Sequence, residues 1–247
     1  MGRAPIRIGT SGWEYEHWRG SFYPRDLPKD RWLAHYAATF DSVELNASFY
    51  RLPARSTFVA WRRRVPDGFV FAVKASRYLT HLKRLREPDE PLERFWSRAT
   101  ALGDRLGPVL YQLPPRWRPN LERLETFLAR VPRGRAQAVE IRDPRWYGPP
   151  LAAMLDAADV ALCLHDMPGS EPSPQPIGPF VYLRLHGSGA RYAGRYPDAA
   201  LDRWASRLRE WTDAGLPAWV WFNNDVGGHA PRDAIRLRER IERGSAC

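Results

Sequence analysis

The sequence predicts a single-domain α/β fold: a (β/α)8, TIM-like barrel of parallel strands spanning residues 1–247. Three observations carry that expectation. Short aliphatic runs alternate with stretches of helical periodicity, the order that lays parallel strands side by side beneath covering helices. Several runs turn polar as they end: VELN (Val43 to Asn46), VFAVKAS (Val70 to Ser76), VEIRD (Val139 to Asp143), ALCLHD (Ala161 to Asp166), VYLRLHG (Val181 to Gly187) and VWFNND (Val220 to Asp225). A strand buried on both faces reads as a continuous apolar run, so charge at the C-terminal ends implies a polar ring at one mouth of a barrel. The length of 247 residues also lies near the roughly 250 typical of such barrels, and 44% hydrophobic content can fill a large core.

Each element follows in order. Ile6 to Thr10 reads as the first strand, and Trp32, Leu33, Tyr36 and Ala37 fall at helical spacing in a helix from Lys29 to Thr39. After VELN, Pro53 and Ser56 precede a helix through Phe58, Trp61 and Arg62 that Val65-Pro66 ends. VFAVKAS leads through a basic loop to a helix from Leu92 to Leu106, with Gly107-Pro108 as its stop. VLYQLPP (Val109 to Pro115) is the fourth strand, followed by a helix from Leu121 to Arg130. VEIRD passes through Pro144 to Pro150 into a helix from Leu151 to Ala158. ALCLHD gives way to a loop rich in Pro, Ser and Gly from Met167 to Pro179, where a helix would ordinarily stand. VYLRLHG, the helix Asp198 to Ala214, VWFNND and the helix Pro231 to Arg243 complete the chain.

Composition narrows the class. The net charge is +10, and a pI near 10.0 suits a phosphate-bearing small molecule or a nucleic acid as partner. Only Lys29, Lys74 and Lys83 are lysines, so the excess is almost wholly arginine, as GC-rich coding would also produce. Cys163 and Cys247 make neither a disulfide framework nor a zinc-ligand spacing, which suits a reducing, cytoplasmic setting. No apolar run approaches the roughly 20 residues of a membrane span, so no membrane partner is expected. Oligomeric state is not legible.

Strand parity sorts the side chains, because neighbours point alternately to the barrel interior and to the helix layer. If Val43, Leu45, Val139, Ile141, Val181, Leu183 and Leu185 face the helices, then Glu44, Asn46, Glu140, Arg142, Tyr182, Arg184 and His186 face inward. The same alternation places Ala72, Lys74 and Gln112 inside. It leaves open whether His165 or Asp166, and whether Asn223 or Asn224, faces the mouth.

These residues carry a resemblance. IGTSGWEYEHWRGSFYP, VELNASFYRLP, FAVKASRYLTH, GPVLYQLPPRW, VEIRDPRW, YLRLHG and FNND, in this order, are similar to domain-of-unknown-function family 72, the YecE-like proteins. The resemblance implies a barrel akin to the xylose-isomerase-like and endonuclease-IV-like folds, and no established activity. It places Trp13, Glu44, Asn46, Phe49, Tyr50, Lys74, Thr80, His81, Gln112, Pro114, Glu140, Arg142, Trp146, Arg184, His186, Gly187 and Asn224 at signature positions. The chain departs from the pattern at Asp143, where a histidine often stands.

Glu44, Lys74, Glu140 and His186 are therefore the candidate catalytic residues, with ion pairing to buried arginines as the competing role for the carboxylates. Lys74 suits a proton acceptor, a Schiff-base amine or a phosphate contact. Arg142 and Arg184 suit an oxyanion, and Trp13, Asn46, Tyr50, Gln112, Trp146, Tyr192 and Asn224 complete the candidate substrate-binding set. His81 and His229 lie in expected loops and read as solvated. The cationic mouth argues against a tightly bound metal, and the absence of a dinucleotide or P-loop fingerprint argues against a nucleotide cofactor. The expected activity is acid–base chemistry, as hydrolysis, elimination or isomerisation, on a phosphate-bearing substrate such as a nucleic acid or sugar phosphate. A noncatalytic nucleic-acid-binding barrel and a metal-dependent sugar isomerase are the alternatives.

Overall fold

The computed structural model describes residues 2–167, 175–189 and 192–244. Eight parallel strands form a nearly closed barrel: β1 Ile6–Thr10, β2 Ser42–Leu45, β3 Val70–Lys74, β4 Leu106–Gln112, β5 Gln137–Glu140, β6 Ala161–Asp166, β7 Val181–Leu185 and β8 Ala218–Phe222. Their order around the sheet is β1-β8-β7-β6-β5-β4-β3-β2, so chain neighbours are spatial neighbours and the first strand pairs with the last. The helices are α1 Trp32–Thr39, α2 Ala47–Tyr50, α3 Arg55–Arg63, α4 Asp89–Ala99, α5 Leu121–Leu128, α6 Pro149–Ala158, α7 Asp198–Asp213 and α8 His229–Arg243.

The seam between β1 and β2 is closed by other means. Just past the end of β1 a single parallel bridge joins Ser11 to Glu44 of β2. Beside it the Tyr36 hydroxyl of α1 accepts from the Thr10 amide at 2.9 Å and reaches the Ser42 carbonyl at 3.1 Å. One phenolic oxygen thereby satisfies a donor and an acceptor that a continued ladder would have joined. Gly9 permits the approach, since a Cβ there would stand 2.3 Å from the Ser42 carbonyl oxygen.

Alternation holds along the strands. Ala72, Leu110, Ala138, Ala161, Cys163, Tyr182 and Trp221 form a separate apolar cluster inside the barrel, with Trp219 against it. Small side chains on β3, β5 and β6 face the large rings of β7 and β8, which fills the interior without a pore. The opposite parity, Val43, Leu45, Val139, Ile141, Leu183, Leu185, Val220 and Phe222, joins the larger core beneath the helices.

Four elements differ from the sequence expectation. The helix expected over Leu92 to Leu106 runs from Asp89 to Ala99 and passes into a 3-10 turn, Thr100–Arg105, interrupted at Gly103 with φ 59° and ψ −125°. β4 then begins at Leu106, ahead of the Gly107-Pro108 pair expected to be a stop, because a proline at the start of a strand need not donate to the ladder. Loops expected after β2 and β3 each hold a helical turn: α2, and the π-helical turn Tyr78–Leu82. After β6, residues 168–174 of the expected Pro/Ser/Gly loop lie outside the described residues, as does Cys247.

Candidate active site at the barrel mouth

The inward side chains at the C-terminal strand ends build one buried charge lattice. Arg184, 1% exposed near the end of β7, stands at its centre. Its Nη1 donates to Glu140 Oε2 at 2.7 Å, and its Nη2 and Nε donate to Glu44 Oε1 at 2.8 and 3.2 Å. Glu44 is completed by two hydroxyl donors at 2.6 Å: Ser11 to Oε1 and Tyr182 to Oε2. Glu140 Oε1 accepts from Arg142 Nε at 2.6 Å. Burial alone would raise the Glu140 carboxyl, but Arg142 and Arg184 hold it well below the usual carboxylate range. All four carboxylate oxygens have charge-assisted or hydroxyl donors. The ion-pair role of Glu44 and Glu140 is therefore present in the geometry, and Arg184 has little left to offer a ligand.

Arg142 is less committed. Its Nη1 and Nη2 make only long contacts of 3.4 Å, to the Tyr192 hydroxyl and to His186 Nε2. Burial first, and Arg184 next, push His186 well below its ordinary value, so its ring is neutral and Nε2 accepts. Its Nδ1 is buried without a hydrogen-bond partner among the described residues. The same holds for Oε1 of Gln112, which sits beside Glu140 in the β4–β5 register.

Lys74 ends β3 and is 8% exposed. Its Nζ lies 3.9 Å above the Phe49 ring, and among the described residues no carboxylate stands within salt-bridge distance of it. Burial, then the Arg184 charge, bring it down to about 7. A buried ammonium beside two guanidiniums sheds its proton readily, since both desolvation and like charge disfavour the cation. His81 packs its ring 4.9 Å from Phe49 and is pushed down to about 4, by burial first and Lys74 second. It is thus a half-buried neutral imidazole on the π-helical turn, contrary to the solvated reading.

Seven residues expected to converge, Glu44, Lys74, Gln112, Glu140, Arg142, Arg184 and His186, share this mouth, with Asn46 Oδ1 3.5 Å from Arg184 Nη2 and Tyr192 against Arg142. Others stand apart. Asn224 Nδ2 donates to Gly194 O and to Asp233 Oδ2, both at 2.9 Å, so its side chain ties the β7–α7 loop to α8. Trp13 packs edge-on against Trp61 and Phe71 in the outer core. Trp146 donates to the Trp117 carbonyl at 2.7 Å and anchors one loop to another. Tyr50 lies on the outer rim, 79% exposed. Asp143 binds the Arg145 side chain at 2.8 and 2.5 Å and takes no part in the lattice.

Ser11, Tyr182 and His165 were absent from the candidate set. Tyr182 was legible as inward by parity, whereas Ser11 follows the end of β1 and, though inside the motif IGTSGWEYEHWRGSFYP, was not singled out within it. His165 shares the parity of Ala161 and Cys163 and stacks edge-on 6.4 Å from His186, while Asp166 accepts from Trp204 Nε1 on the helix side. Among the described residues no three His, Cys, Asp or Glu side chains gather as metal ligands. With the carboxylates held by arginines, the donor set does not suit a divalent ion.

Fold and site together define a parallel β/α barrel with an arginine–carboxylate lattice closing its C-terminal mouth, and beside it a lysine with no carboxylate partner among the described residues. The chain belongs to the family described as "Protein of unknown function DUF72", whose sequence model matches residues 7–246. It is 28% identical over 272 residues to the UPF0759 protein YunF of Bacillus subtilis, covering 96% of this chain and 95% of that one. It is 33% identical over 116 residues to the UPF0759 protein YecE of Escherichia coli, 47% of this chain and 43% of that protein. A crystal structure of a DUF72 family protein from Thermotoga maritima superposes with a TM-score of 0.88 at 28% identity, over 96% of this chain and 99% of that one. A D-psicose 3-epimerase superposes at 0.54 with 14% identity over 97% of each chain, a likeness of fold alone. No helix among the described residues is long and apolar enough to cross a membrane.

Proposed function

We propose that this barrel is an enzyme of acid–base chemistry acting on a phosphate-bearing substrate, with Lys74 as the proton-transfer group and no metal required. The observation that carries the reading is a buried lysine at a barrel mouth, over the Phe49 ring and without a carboxylate partner among the described residues, a setting that brings it down to about 7. A structural lysine in such a place would be expected to hold an ion pair, whereas a proton acceptor needs a neutral amine near working pH. Burial and the Arg184 charge disfavour the ammonium, while Glu140 and Glu44 favour it; the two carboxylates, held by Arg184 and Arg142, are positioning residues that fix the guanidiniums near Lys74. Arg142, whose terminal nitrogens make only 3.4 Å contacts, is the group free to exchange Tyr192 and His186 for a phosphate oxygen.

The test is turnover on a panel of phosphorylated sugars and phosphate esters, comparing the parent with Lys74→Met and Arg142→Ala, each verified as folded. Lys74→Met should lower kcat/KM by roughly 10²- to 10⁴-fold and abolish a limb of the pH profile near 7. Arg142→Ala should act chiefly on KM. Turnover by Lys74→Met at the parental rate sinks the reading.

A further inference from the structure

A groove of about 870 Å³ lies between α2, α3 and α4. Tyr50, Arg51, Ser76, Tyr78, Arg94 and Arg98 line it together with Thr57 and apolar side chains, and no acidic residue lines it among the described residues. That composition sets it apart. The cavity at the opposite end of the barrel includes Asp41, Asp67 and Glu242, and the one beside α5 includes Glu87 and Glu122.

Two of the three groove arginines form no ion pair among the described residues, in a molecule that pairs many of its surface arginines. Arg62 is held by Asp104, Arg105 by Asp67, and both Arg236 and Arg240 by Asp198. Arg51 and Arg94 have no ion pair among the described residues, while Arg98 Nη1 donates to the Leu52 and Pro53 carbonyls at 3.1 and 3.3 Å and fixes the groove wall. The two tyrosines are 79% and 45% exposed, among the most exposed large hydrophobic side chains described. A positive, acid-free groove with exposed ring faces is what stacks unpaired bases while neutralising the phosphates between them.

Connectivity gives the groove a direction. Tyr50 ends α2, which begins directly after Asn46 at the mouth, and Ser76 and Tyr78 follow Lys74 by two and four residues. We propose that the groove is a track for single-stranded nucleic acid, with Tyr50 and Tyr78 stacking bases and Arg51 and Arg94 on phosphates, leading the strand to the barrel mouth. This deepens the acid–base reading by naming its substrate class, and rests on that reading only for what happens at the end of the track.

Fluorescence anisotropy of a labelled single strand of about 12 nucleotides, titrated with the full chain between about 50 and 200 mM salt, tests it. Tyr50→Ala/Tyr78→Ala should weaken binding by on the order of 10-fold or more. Arg51→Ala/Arg94→Ala should reduce the slope of log K against log salt by about 1.4, two single-strand phosphates' worth. All four side chains are exposed or on the groove surface, and matched thermal midpoints will confirm that the variants fold. Absence of binding by the parent, equal affinity for the duplex, or either double variant binding with parental affinity and salt slope overturns the track. The two readings fail separately. A strand that binds and is never turned over sinks the chemistry and leaves the groove, whereas Lys74-dependent turnover of a small phosphate ester by a protein that binds no strand sinks the groove alone.

Discussion

At the scale of single residues, two cations of the mouth divide the labour. Lys74 titrates at about 7 in the fold against an ordinary value near 10.4, so between those limits the unfolded chain binds one more proton than the native one. Its contribution to stability therefore rises with pH from about 7 to about 10.4 and is most unfavourable below 7. Lys74→Met should raise the thermal midpoint above the parent at pH 6, with the gap closing toward pH 10; an equal gap at both pH values would refute the lowered titration. Arg184 behaves oppositely. Removing it leaves Glu44 and Glu140 buried with one strong partner fewer each, and Arg184→Met should cost about 3–5 kcal/mol by urea unfolding. Parity made Arg184 legible as inward, because alternation is a property of the local backbone. Its saturation was not legible, since that depends on distances between β2, β5 and β7. Parity left Asn223 and Asn224 open because β8 is apolar on both faces, and the family resemblance alone pointed to Asn224: Trp219 and Trp221 face in, Val220 and Phe222 face out, and Asn224 continues the outward set.

At the scale of elements, what was legible had a period and what was hidden did not. Seven of the eight α-helices among the described residues announce themselves by apolar spacing, and the strands by aliphatic runs. The four-residue α2 and the π-helical turn Tyr78–Leu82 are too short to show periodicity, yet they deliver Phe49 and His81 to Lys74. Inserted π turns recur at functional sites because they re-aim side chains without breaking the helix. The β1–β2 seam was equally hidden, as nothing in α1 marks Tyr36 as more than core. Tyr36→Phe should cost about 1–3 kcal/mol, because the Thr10 amide and the Ser42 carbonyl lose their shared partner in a dry place. Amide exchange at Thr10 should accelerate in the same variant while exchange in β5 and β6 stays slow; uniform protection throughout would show that the seam does not depend on the hydroxyl.

At the scale of the molecule, fold and charge were read with different success. The alternation of strands and helices fixed the barrel, and the polar strand ends located its mouth. The net charge of +10 could not be apportioned from sequence, because an arginine paired with Asp198 and one facing a groove look alike until both are placed. The closure at Tyr36 carries a further consequence. Topologically the eight strands are a strip with two ends, and each end bears backbone groups able to template a strand from another chain. Loosening the clasp would therefore turn a self-contained cylinder into a molecule with two adhesive margins, prone to pairing with its own copies as concentration rises.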